Sequence, residues 1–185
     1  NCLNNLLKLD HKRFHIAVSG CRISDETKET LYKTFKGKVS FCYTENFLSV
    51  NITFNNTVLR SVKSYGKFDG YIYFDSGVDI EANTNLLNEI ESRVNTDQYS
   101  MISIQTDTDH GHHWFKHDHV NNPYIKGEDF VMPVGKCCNL HVSYFSNELL
   151  EAYGRLIPDI FNAYCTESVF SFLNAAINKQ WVILK

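Results

Sequence analysis

Gly70-Tyr71-Ile72-Tyr73-Phe74, followed by Asp75-Ser76-Gly77-Val78-Asp79, is the stretch on which the fold turns. Its four large side chains stand in a row without polar alternation, so both faces of the segment need cover. That pattern predicts a buried strand of an α/β sheet. The acidic, glycine-containing turn after it marks the strand's carboxyl end. Open α/β sheets bind ligands at that end, which makes Asp75 the first candidate functional residue.

Outward from this strand, helices and strands alternate. Phe14 to Ser19 reads as a strand closed by Gly20. Ser24 then caps a helix with Asp25 and Glu26 in its first turn and Leu31 and Phe35 facing inward, ended by Gly37. Val39 to Tyr43 is a second strand, and Val58, Leu59, Val62 and Tyr65 recur at helical spacing before Gly66. Beyond Asp79, Thr84 caps a helix lined by Leu86, Leu87, Ile90 and Val94, and Ser100 to Ile104 is the next strand. From Thr106 to Gly135 periodicity disappears, as expected of a long loop that is functional or mobile. Asn139 to Phe145 restores a strand, and Ser146 caps a short helix. Thr166 caps a last helix, with Val169, Phe170, Leu173 and Ile177 inward, before the strand Trp181 to Leu184. The order predicts one Rossmann-like α/β domain over residues 1–185, with a mostly parallel central sheet and helices on both faces.

Composition narrows the function classes. A net charge of -3, from 18 basic and 21 acidic residues, leaves no basic excess for gripping a phosphate backbone, so nucleic acid is not an expected partner. No apolar run approaches the roughly 20 residues that span a bilayer. Six cysteines could make three disulfides, but Cys42 lies in an apolar strand and the adjacent Cys137 and Cys138 lack the spacing of a zinc knuckle. They read as reduced thiols of an intracellular protein. The sequons Asn51-Ile52-Thr53 and Asn55-Asn56-Thr57 then count as chance matches.

Several residues can carry chemistry. Asp75, with Asp79 four residues on, can hold a hard divalent cation, and the cation can neutralise phosphate oxygens that no basic cluster would otherwise cover. The plainer alternative is that Asp75 and Ser76 only open a turn. Arg60 and Lys63 stand three apart on one helix and suit phosphate or ribose hydroxyls, or a solvated helix face. Asp107, Asp109, His110, His112, His113, His117, Asp118 and His119 offer ligands for a transition metal, which makes a metal-dependent hydrolase the rival class, or they form a solvated loop, or one histidine joins a metal site elsewhere. No His-Glu-x-x-His pattern supports it. Cys165 lacks a histidine at a nucleophile's spacing and reads as a core thiol. Trp114 and Phe115 suit stacking on a sugar ring or anchoring of the loop.

The segment from Asn56 through Arg60 and Gly66 to Asp75-Ser76-Gly77 resembles the central stretch of A-type (GT-A fold) nucleotide-sugar glycosyltransferases, in a family-two-like form. In that family a helix with an Arg or Asn leads through a Gly to an apolar strand ending in an Asp-x-Asp metal motif. The resemblance implies that Asp75, Ser76, Gly77 and Arg60 contact the diphosphate end of the donor, and Ser19-Gly20 its base. It implies that Met132-Pro133-Val134-Gly135 through Phe145 shapes the acceptor site. Tyr164-Cys165-Thr166-Glu167-Ser168 resembles the family's late acidic motif and makes Glu167 the general base of an inverting enzyme. Gly77 replaces the second acid, so Asp79, His110 or water would complete the coordination of Mn2+ or Mg2+ by Asp75.

The implied donor is a nucleotide sugar, a UDP-sugar first, and the implied acceptor is a glycan or glycoprotein hydroxyl. The family's first strand would precede Asn1, so the domain is expected to be cut from a longer chain. A narrower similarity, to the sugar-transferring domains with which large algal DNA viruses glycosylate their capsid proteins, implies a viral enzyme of the host cytoplasm. A nucleotidyltransferase and a non-catalytic nucleotide- or carbohydrate-binding module remain alternatives on the same fold.

Overall fold

A computed structural model describes residues 2–9, 14–75, 77–78, 85–104, 129–136, 140–158 and 166–184, the last stretch with side chains from Val169 onward. Helix α1 (Cys2–Leu6) is followed by β1 (Ala17–Cys21), α2 (Asp25–Phe35), β2 (Ser40–Thr44), α3 (Val50–Tyr65) and β3 (Gly70–Phe74). Then come α4 (Leu86–Val94), β4 (Tyr99–Ile104), β5 (Phe130–Val131), β6 (Val142–Ser146), α5 (Asn147–Tyr153), α6 (Thr166–Ala176) and β7 (Gln180–Leu184). The α/β class is as the sequence predicts. None of the described helices is long and apolar enough to cross a membrane.

The sheet differs from the expectation of one mostly parallel sheet. β1 and β2 form a parallel pair, while the other strands form a five-stranded mixed sheet in the order β3-β6-β4-β7-β5. Among the described residues β4–β7 is the one parallel pair of the larger sheet; β3–β6, β4–β6 and β5–β7 are antiparallel, so β3, β4 and β7 share a direction. The reason is β6, which enters between β3 and β4 in the opposite direction. Apolar runs locate strands but carry no information about direction, so the pattern could not reveal this.

β3 is correspondingly an edge strand among the described residues. Both its faces are covered, as expected, but one ladder is absent, and of its five residues only Tyr71 is buried.

Side-chain alternation splits the five-stranded core into two layers. Tyr71, Met101, Phe145, Trp181 and Ile183 point to one face and meet Phe54 and Val58 of α3, Leu149 of α5 and Phe170 of α6. Ile102, Val142, Tyr144, Val182 and Leu184 point to the other and meet Leu86 and Ile90 of α4. Helices therefore cover both faces of this sheet. Three polar groups inside the first layer pair with one another: Ser103 Oγ lies 2.7 Å from Ser143 Oγ and accepts from Trp181 Nε1 at 2.9 Å.

Local signals placed some element ends well. Ser24 accepts from the Thr27 amide as the cap of α2, whose chain reverses at Gly37 with φ 76°. Thr84, the expected cap of α4, lies outside the described residues. At α6 the helix already includes Thr166, rather than starting after it.

The larger difference is α3, which begins at Val50, capped by Ser49, well before the apolar periodicity starts. Its early turns bury Asn51, Thr53, Asn55 and Thr57, polar residues that hide the helix from a hydrophobicity reading. Asn55 accounts for its burial: its Oδ1 accepts from the Leu156 and Ile157 amides at 3.0 and 3.1 Å, and its Nδ2 donates to the Ile157 carbonyl. Both sequon asparagines, Asn51 and Asn55, are thus buried in a helix, which fits chance matches rather than glycan acceptors. Cys2, Cys21 and Cys42 are outside any disulfide.

Candidate functional site

β3 delivers Asp75 to the carboxyl edge of the sheet, where the backbone changes from ladder to turn. The Asp75 amide still donates to the His141 carbonyl at 2.8 Å, one step beyond the Phe74–Val142 pair, and so fixes the two backbones side by side. Beyond it, the Val78 amide donates to the Asp75 carbonyl, and the Gly77 amide donates to Asp75 Oδ1 at 3.2 Å. This is an Asx-type turn, which holds the carboxylate at the strand end. The other oxygen, Oδ2, lies 3.3 Å from His141 Nδ1, and the two side chains are 40% and 34% exposed. The carboxylate is therefore both anchored and reachable from solvent.

Tyr73, two residues earlier, shares the environment. Burial pushes its phenol up to about 12, and the nearby Asp75 charge adds to that. Phe54 of α3 meets the Tyr73 ring edge-on, with centroids 5.3 Å apart, so the early part of α3 lies level with the carboxyl end of β3.

Arg60 follows Phe54 by six residues, or roughly 9 Å of helix rise toward the amino edge. There its guanidinium donates to Cys42 Sγ at 3.3 Å, and farther along Tyr65 rests on the His15 ring before β1. The helix thus carries Arg60 and the exposed Lys63 away from Asp75 and does not bring them into one site.

Ser19 and Gly20 sit within β1 rather than in the turn after a strand, because the β1–β2 ladder continues through Gly20–Tyr43 to Cys21–Thr44. Ser19 is exposed. A Cβ at Gly20 would run into the Ile23 side chain, so a packing reason for that glycine is already present. Ser76, Asp79 and His110, together with Trp114, Phe115, Cys165 and the rest of the histidine-rich loop, lie outside the described residues.

Glu167 lies in the first turn of α6. Near the other end of that helix, Asn174 meets Ser100 at the amino end of β4, while Phe170 packs on Phe145 and Trp181. The helix therefore runs antiparallel to β4 and β7, and its first turn points to the carboxyl edge that also carries Asp75. One turn after Glu167, Ser171 Oγ accepts from the Gly135 amide at 2.9 Å, tying the Met132–Gly135 segment to the same helix. The open concavity of about 440 Å³ lined by Glu148, Glu151, Ala152, Ile177 and Lys179 belongs to the opposite, amino edge, and Lys179 there is paired with Asp97.

Asp75 is the described carboxylate best placed to hold a hard cation, since it is exposed enough for a ligand and oriented by its own turn. Among the described residues no group of three or more His, Cys, Asp or Glu side chains could hold a metal ion. Any cation here would need oxygens from a bound phosphate and from water. His141 is the residue that sequence reading missed. In the sequence it reads only as a strand residue, and its sole signal is that it stands one position before an apolar run whose pairing partner the pattern does not give.

No protein-family model matches the chain, and no curated protein matches it.

Proposed function

We propose that this chain binds a nucleoside-diphosphate sugar at the carboxyl edge of its sheet and transfers the sugar to an acceptor hydroxyl. The observation that carries the reading is Asp75, anchored by the Gly77 amide and the His141 backbone yet open to solvent at the end of β3. A divalent cation held there supplies charge neutralisation for the diphosphate. Asp75 itself positions the donor's diphosphate end.

On this reading Glu167 accepts the proton of the acceptor hydroxyl. As that oxygen forms its bond to the anomeric carbon, the bond from the same carbon to the diphosphate oxygen breaks and the nucleoside diphosphate leaves with the electron pair. The displacement inverts the anomeric centre. Supporting the assignment are the first-turn position of Glu167, where a helix dipole favours a carboxylate, and the direction of α6 toward the Asp75 edge.

A second reading, a nucleotide- or carbohydrate-binding module without turnover, is favoured by Gly77 standing where a second acid would be needed. One set of measurements separates them. Thermal-shift titration with UDP and UDP-sugars should raise Tm only when Mn2+ or Mg2+ is present, and Asp75→Ala should abolish the shift. Glu167→Gln should keep the shift and lose sugar transfer to a glycan acceptor. A metal-dependent shift without transfer by the parent protein would establish the module, and a shift unchanged in Asp75→Ala would remove Asp75 from the site.

A further inference from the structure

We infer that His141 and Asp75 are paired ligands of one divalent cation, and that the imidazole makes the site prefer a transition metal of the Mn2+ or Zn2+ type over Mg2+. The inference rests on the reading of Asp75 as the donor's metal ligand, and it adds both a second protein ligand and a metal preference. The geometry comes from two independent ties. The Asp75 amide to His141 carbonyl bond fixes the backbones, and the side chains then converge, with Oδ2 and Nδ1 3.3 Å apart.

Donors about 2.1 Å from one cation stand about 3.0 Å apart at a right angle and about 3.4 Å apart at a tetrahedral angle. The observed separation falls between these, so one cation can touch both atoms without moving either backbone. The His141 and Asp75 side chains are 34% and 40% exposed, which leaves an approach for the cation and for a diphosphate.

The chemistry of the pair sets the preference. Mg2+ favours oxygen donors and retains its water, whereas imidazole nitrogen suits first-row transition metals. A carboxylate with one imidazole therefore selects differently from the two carboxylates of an Asp-x-Asp motif. It also offers a physical reason why Gly77 is tolerated: the second ligand arrives from the neighbouring strand instead of from two residues along the same turn. The opposing possibility is a plain ion pair, in which His141 only orients the carboxylate.

The test is titration of the whole chain with Mn2+ followed by electron paramagnetic resonance, with Mg2+ affinity measured by competition, each with and without UDP. Wild type, His141→Ala, His141→Gln and Asp75→Asn are compared, and circular dichroism shows which variants fold. His141→Ala should weaken Mn2+ binding at least about tenfold and leave Mg2+ nearly unchanged, collapsing the Mn2+ over Mg2+ preference. Asp75→Asn should weaken both.

Equal loss of Mn2+ and Mg2+ in His141→Ala would make His141 a positioning residue only and overturn the inference. So would unchanged cation binding with a lowered Tm, the mark of an ion pair, or no Mn2+ binding by the parent at millimolar concentration. The arms without UDP judge the pair itself. If Mn2+ binds through His141 but UDP neither binds nor tightens it, the nucleotide reading fails while the metal pair stands.

Discussion

The five-stranded sheet and the β1–β2 pair are built from similar residues and end in different states. In β4, β6 and β7 nearly every position is buried, and Met101, Ile102 and Phe145 are wholly inaccessible. In β1 and β2 only Cys42 is buried, although Val18, Phe41 and Tyr43 are as apolar as their counterparts. What separates them is neighbours. β4, β6 and β7 have a ladder on each side and helices on both faces, while β1 and β2 have one ladder each among the described residues. Burial is a property of the place in the sheet, not of the strand's own composition.

The contrast is open to direct measurement by urea unfolding. Phe145→Ala removes a ring packed between Phe54 and Phe170 at the centre of the first layer and should cost about 3–5 kcal/mol. Val18→Ala, half-buried in β1, should cost about 1 kcal/mol. Equal losses would mean that the smaller sheet is as tightly packed as the larger.

Two glycines sharpen the comparison at lower amplitude. A Cβ at Gly70 of β3 would enter the Tyr144 ring, whose hydroxyl donates to the Asp69 carbonyl and is not free to swing away. Gly70→Ala should therefore cost about 2 kcal/mol. At Gly20 of β1 the clash is with the far end of Ile23, which can rotate, so Gly20→Ala should cost less than about 1 kcal/mol. Matching midpoints for the two variants would contradict this difference in rigidity.

A further effect is a pH dependence. Tyr73 holds its proton up to about 12 because its partly buried phenolate would be poorly solvated and faces Asp75. The unfolded chain releases that proton near pH 10, so the stabilisation is fully present below pH 10 and is lost as pH rises from 10 to 12. With its partial exposure, the amount is about 1–2 kcal/mol. Tyr73→Phe should flatten the alkaline decline of Tm over that window, and an identical decline in both proteins would show that Tyr73 does not titrate as described.

Much of the fold was legible, and particular residues show where legibility stopped. Ser24, Gly37 and the apolar spacing of α4 act through their own few neighbours, and the sequence pattern located them. The first turns of α3 escaped because Asn51, Thr53, Asn55 and Thr57 are polar yet buried, and the partners of Asn51 and Asn55 lie about a hundred residues away at Leu156, Ile157 and Pro158. Likewise Asp75 was legible as a strand-end acid, whereas the separation of Arg60 from it follows from the direction of a helix.

By itself the sequence determined the α/β class, the positions of most strands and helices, and an acid at the end of the strand Gly70–Phe74. These depend on periodicity, capping and turn chemistry, all of which act over a few residues. Only the tertiary structure decided that β6 runs antiparallel between β3 and β4, that β3 lies at an edge, and that His141 meets Asp75. Strand direction and cross-strand pairing are set by the fit of whole layers, in which Phe145 and Trp181 must fall on one face and Tyr144 and Val182 on the other. That constraint involves residues far apart in the chain, and no local pattern encodes it.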